Sequence, residues 1–142
     1  MNGFSLSALA SAIGIYLLIL VGGFTSASGA GMACPDWPLC DGQLIPEFTP
    51  LVLIEYTHRV FTMVVGTLIS ITTIFAWTRY RHLSHIVKSS SILFFLLILQ
   101  ILVGMLTVQS ELNPIIVTLH LGISTALFGS SLVTALLGLR IK

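Results

Sequence analysis

Residues 51–66 read LVLIEYTHRVFTMVVG, an apolar run interrupted by Glu55, His58 and Arg59. What these three residues mean depends on whether the run crosses a membrane, where charge is costly and an ionisable side chain marks function by default. The rest of the chain says that it does. Of 142 residues, 56% are hydrophobic and 8% charged, against about 25% charged in soluble domains. Four apolar stretches, about 6–24, 50–77, 91–108 and 114–139, reach the roughly 20 residues that a crossing needs. The expected fold is an all-α integral membrane protein, one four-helix transmembrane domain over 1–142. A net charge of +1 and the lack of a glycine-rich phosphate loop point to no nucleic-acid partner and no nucleotide site.

The first stretch is read as a span and not a cleaved leader. No positive residue precedes it, and it exceeds the apolar length of about 7–15 residues usual in leaders. The small residues 25–31 are where a cleavage would fit. Orientation follows from Lys and Arg. The segment 25–49 has neither and carries Asp36, Asp41 and Glu47, while Arg79, Arg81 and Lys88 follow the second span and Arg140 and Lys142 follow the fourth. Both termini are thus expected in the cytoplasm, in a multi-pass protein of the cell membrane whose long first loop faces outward. Trp77 and Tyr80 at one end, and Phe48 and Tyr56 at the other, suit interfacial positions.

The spans repeat in pairs. Span one ends Leu20-Val21-Gly22-Gly23-Phe24-Thr25 and span three ends Leu102-Val103-Gly104-Met105-Leu106-Thr107. Spans two and four open with Thr49-Pro50 and Asn113-Pro114, each a capping residue followed by proline at the first helical position. The pattern predicts two similar helical hairpins. Each even span holds one histidine, and at about 1.5 Å rise per residue His58 lies roughly 12 Å below Pro50 and His120 roughly 9 Å below Pro114. Two imidazoles at matched depth on facing helices suit the axial coordination of a heme iron in a bundle core. The plainer reading is a hydrogen bond across helices for each. His82 and His85, among the positive charges, receive no role.

Glu55 precedes His58 by three residues and shares its helix face. It would hydrogen-bond the imidazole or handle protons on what His58 binds; an ion pair with Arg59, four residues on, is the alternative. Arg59 suits an anionic group such as a heme propionate, or that ion pair, or snorkelling to headgroups. Cys34 and Cys40 are the only cysteines, with five residues between them on the side where disulfides persist. A structural staple and a redox-active pair both fit, and zinc does not.

Taken in order, ACPDWPLCDG at 33–42, EYTHR at 55–59 and one early histidine in span four resemble the heme A synthase family, over about 22–129. The resemblance implies an oxidoreductase converting heme O to heme A by oxidising the C8 methyl to a formyl group. It implies heme as substrate and as b-type cofactor, with iron held by His58 and His120, Glu55 as the catalytic carboxylate, and a disulfide between Cys34 and Cys40. Most family members have eight helices in two four-helix halves, each with one histidine pair. This sequence looks like the N-terminal half, as in half-length archaeal versions, which implies a homodimer or higher homo-oligomer. Heme O synthase and the terminal oxidase assembly pathway are partners through the resemblance alone. The rival readings are a bis-histidine b-type electron-transfer cytochrome and a quinone-linked thiol-disulfide oxidoreductase. The first leaves Glu55 and the cysteine loop without a task, and the second lacks a further cysteine pair.

Overall fold

The computed structural model describes residues 2–141; Lys142, one of the charges used for orientation, lies outside them. Four long helices make the molecule: α1 (Gly3–Ala27), α2 (Pro50–Arg79), α3 (Ser84–Gln109) and α4 (Pro114–Leu139). All four are long and apolar enough to cross a membrane. The cap residues read from sequence act as such. The Thr49 hydroxyl accepts from Val52 N at 3.3 Å and the Asn113 side chain from Ile115 N at 3.0 Å, with Pro50 and Pro114 in the first turn. At the other end of the bundle Asn2 caps α1 through Ser5 N at 2.8 Å. The α3 helix starts before its apolar run because Ser84, His85, Lys88 and Ser89 keep helical geometry outside the hydrophobic stretch; hydropathy marks a span, not the helix that carries it.

Each helix packs against two neighbours in the ring α1–α2–α3–α4. The two histidine-bearing helices, α2 and α4, are therefore diagonal. The α1–α4 seam is built from small residues, Ala8, Ala12 and Ala135, which let backbones approach closely where there is no water-driven attraction between helices. The Ser5 hydroxyl donates to Gly138 O across it at 2.7 Å. Ile15, Val65, Ile69, Leu93, Leu97 and Leu127 form the central core, and Phe4, Ala76 and Ile86 the core nearer the termini.

Above the central core the interior loosens. No residue in 16–24 of α1, 56–64 of α2, 98–102 of α3 or 114–122 of α4 is fully buried. Leu18, Phe61 and Ile101, which pack on the top of the core, are half-buried. Close packing in proteins leaves few such layers, and both intramembrane histidines lie within this one. Beyond it the first loop, with a short 3-10 turn at Ala30–Met32, lies against α1 and α2. It also meets the α3–α4 turn: a Cβ on Gly31 would come within 3.2 Å of Leu112 Cδ1.

Candidate functional site

The site is built twice on the same local pattern. In the first hairpin Gly22 on α1 backs His58 on α2: a Cβ at Gly22 would lie 3.1 Å from His58 Cε1. In the second, Gly104 on α3 backs His120 on α4, again with 3.1 Å to Cε1. The Thr62 hydroxyl donates to His58 O at 2.9 Å, and the Ser124 hydroxyl to His120 O at 2.8 Å. The repeat seen in the sequence thus extends to packing, and the glycines gain a purpose that periodicity did not give them. Each is the floor under an imidazole.

In both rings Nδ1 is buried with no hydrogen-bond partner. A buried polar atom without a partner costs about 1–3 kcal/mol; each Nδ1 faces its backing glycine, so Nε2 is the ring nitrogen left for a ligand. The histidines do not bond each other. His120 Nε2 lies 3.1 Å from Gln100 Nε2, which also donates to Ser124 Oγ at 2.6 Å. Sequence reasoning missed Gln100; a lone amide in an otherwise apolar stretch of span three was the available signal. The donor set, two imidazoles on diagonal helices each packed on a glycine, is of the kind that a heme iron takes. The fit favours matched substitutions over loss of chemistry: Gly22→Val and Gly104→Val are each expected to keep the helical spectrum and lower the heme bound per protein by roughly tenfold. Absorbance against protein mass measures this.

Glu55 and Arg59 are joined to each other and to the cysteine loop. Glu55 is 4% exposed. Its Oε1 accepts from Arg59 NH2 at 2.5 Å and Nε at 3.2 Å, and its Oε2 accepts from Cys34 N at 2.8 Å. Arg59 NH1 donates to Asp36 O at 2.7 Å and Leu39 O at 2.6 Å, and NH2 to Cys34 O at 2.7 Å. A guanidinium has five N–H donors, and these bonds use all of them. The ion pair weighed as the plain alternative is present, and it does more than pair. It reaches back over the loop and holds three carbonyls inside the ring that the Cys34–Cys40 disulfide closes. Glu55 makes no hydrogen bond to His58 here. For Arg59 to meet a propionate, one of its bonds to the chain would have to be exchanged.

Asp36 finishes the loop by accepting Asp41 N at 2.6 Å and Gly42 N at 2.9 Å. The Gly42 bond, chiefly, lowers its pKa below the ordinary 3.8. A depressed carboxylate stabilises the folded loop above its unfolded pKa and loses that contribution as pH falls through the folded one. Amide exchange at Asp41 and Gly42 is therefore expected to be flat from neutrality down to about pH 4 after correction for intrinsic rates, and to accelerate below it. Asp36→Asn should remove that acid step.

The family model for cytochrome oxidase assembly proteins, COX15-CtaA, matches residues 6–50 and 46–141 of this chain. A heme A synthase of Lysinibacillus sphaericus is 35% identical over 132 residues, 92% of this chain and 43% of the relative. One from Geobacillus kaustophilus is 36% identical over 124 residues, 85% of this chain and 39% of the relative. The chain spans about two-fifths of the length of these relatives.

Proposed function

Because the chain belongs to the COX15-CtaA family of cytochrome oxidase assembly proteins, we propose that it is a heme A synthase-like oxidoreductase, embedded in the membrane, acting on heme O. The observation that carries this reading is the doubled site: two glycine-backed histidines at equivalent places on diagonal helices. In our reading His58 and His120 hold the heme iron, and the half-buried layer above the central core takes the macrocycle. When bound, a heme would supply the redox chemistry for taking the C8 methyl to a formyl group through successive hydroxylations and loss of water, with an external oxidant accepting the four electrons removed.

The chain's own residues bind, orient and manage protons. Gly22 and Gly104 set the imidazole positions, and Gln100 holds His120 Nε2 until the iron takes that nitrogen. Glu55 is the proton-handling carboxylate. Its Oε2 takes one N–H, from Cys34, and so has a lone pair for a substrate or water proton. The disulfide loop, bound by Arg59, covers the end of the bundle on the outer side and restricts water there. A second copy of this chain supplies the second four-helix unit of the family arrangement, giving a homodimer or higher homo-oligomer. An active protein that stays monomeric by light scattering in detergent would contradict that.

Heme binding is tested on purified protein by reconstitution. Wild type should show a low-spin, six-coordinate absorption spectrum. A five-coordinate, high-spin spectrum in wild type would count against coordination by two histidines.

A further inference from the structure

At the end of the bundle remote from the disulfide loop lies a cavity of about 1050 Å³, lined by residues from all four helix termini, among them Arg79, His82, His85 and Arg140. The site described above uses none of it. Arg79, His82, His85 and Arg140, all exposed, line it from segments as far apart in sequence as the end of α2 and the end of α4, and no acidic residue among those described lines the space. Among the described residues the only ion pair in the protein is Arg59–Glu55, so neither Arg79 nor Arg140 has a carboxylate partner among them. The α3 N-terminus borders the same cavity through Leu83 and His85, and its first turn has no side-chain cap. Its positive dipole end adds to the cationic lining.

The remaining wall is apolar. Leu83, Leu137 and Ile141 line the cavity and continue into the packed cluster of Phe4, Ala76 and Ile86. Trp77, near the end of α2, is exposed and hydrogen-bonded to Ser91 Oγ at 3.1 Å, as suits an aromatic at a membrane interface. A small inorganic anion would use the cations and leave the apolar wall idle. A molecule with a phosphodiester next to hydrocarbon uses both.

We propose that this cavity is a binding site for a phosphate ester anion, supplied by the headgroup of an anionic phospholipid. Arg79 and Arg140 grip the phosphate with their planar donor pairs, His82 and His85 extend the donor set, and Leu83, Leu137 and Ile141 take the start of the acyl chains. The lipid ties the α2–α3 turn to the ends of α1 and α4, so it joins the two hairpins at the end where the loop clamp is absent.

The test is a titration of the purified full chain in neutral detergent with short-chain phosphatidylglycerol, phosphatidylcholine and inorganic phosphate, read by thermal midpoint and native mass spectrometry. Phosphatidylglycerol should bind saturably and raise the midpoint, and phosphatidylcholine should not. Each basic residue near an anionic headgroup contributes about 1 kcal/mol, so Arg79→Gln/Arg140→Gln should weaken phosphatidylglycerol about thirtyfold, while Arg79→Lys/Arg140→Lys keeps most of the binding. Should the double glutamine variant not fold, each single variant carries the test, with about fivefold weakening. Equal binding of the two lipids, or an unchanged affinity in the glutamine variants, overturns the proposal. Inorganic phosphate acting at the same concentration as phosphatidylglycerol overturns the lipid as its source.

Discussion

His58→Ala and His120→Ala are each expected to abolish the low-spin spectrum of the heme-loaded protein and to cut heme A formation by at least about 100-fold, the upper end of what loss of a mere outer partner of a metal ligand costs. The two variants should not be identical. His120 Nε2 has Gln100 at 3.1 Å, and His58 has no such amide beside it. Gln100→Leu should therefore leave a six-coordinate heme and bind it at least as tightly as wild type, because His120 Nε2 no longer has to be released from the amide. Both alanine variants should keep the wild-type helical content, because neither histidine belongs to the core clusters that hold the helices together. An unchanged spectrum in both would refute the coordination.

Arg59→Met is expected to be the most damaging single change outside the histidines. It leaves Glu55, 4% exposed, with the Cys34 N–H as its only partner, and strips three loop carbonyls of their donors. Removing one member of a buried ion pair costs about 3–5 kcal/mol, mostly because the other charge stays behind. The sign of the coupling separates a stranded charge from loss of bulk: Glu55→Gln/Arg59→Met should be more stable than Arg59→Met alone, since no charge is then stranded. If the double variant is less stable than the single one, the charge argument fails. Glu55→Gln alone keeps the shape and a hydrogen bond to Cys34 N. It should lower heme A formation by about 100–1,000-fold if Glu55 manages protons, with the heme spectrum retained.

The four helices were legible because apolar runs of bilayer length, in a chain this poor in charge, form little except membrane spans. Thr49-Pro50 and Asn113-Pro114 added to this by announcing helix starts through local chemistry. The doubled hairpin was legible from Gly22 and Gly104 in like settings and from one histidine in each even span. What stayed hidden depends on contact between segments distant in sequence. Nothing local says that Arg59 reaches back twenty positions or more to Cys34, Asp36 and Leu39. The pairing of Gln100 with His120 arises only when α3 and α4 lie side by side. The glycines are visible as letters, but their use as floors under His58 and His120 requires knowing which helix packs on which. The cationic cavity escaped for the same reason: Arg140 and His82 lie far apart along the chain, and only the closed ring brings them together. Glu55 illustrates a different limit. Its spacing to both His58 and Arg59 was evident, and geometry alone chose Arg59 and the loop.

The most direct measurement is coexpression of this chain with a heme O synthase in a heme-producing host, followed by chromatography and mass spectrometry of the extracted hemes. Wild type is expected to give heme A, or its hydroxylated precursor, and His58→Ala, His120→Ala or an empty vector heme O alone. Heme O alone with the wild-type chain, present in the membrane and loaded with six-coordinate heme, would contradict that expectation.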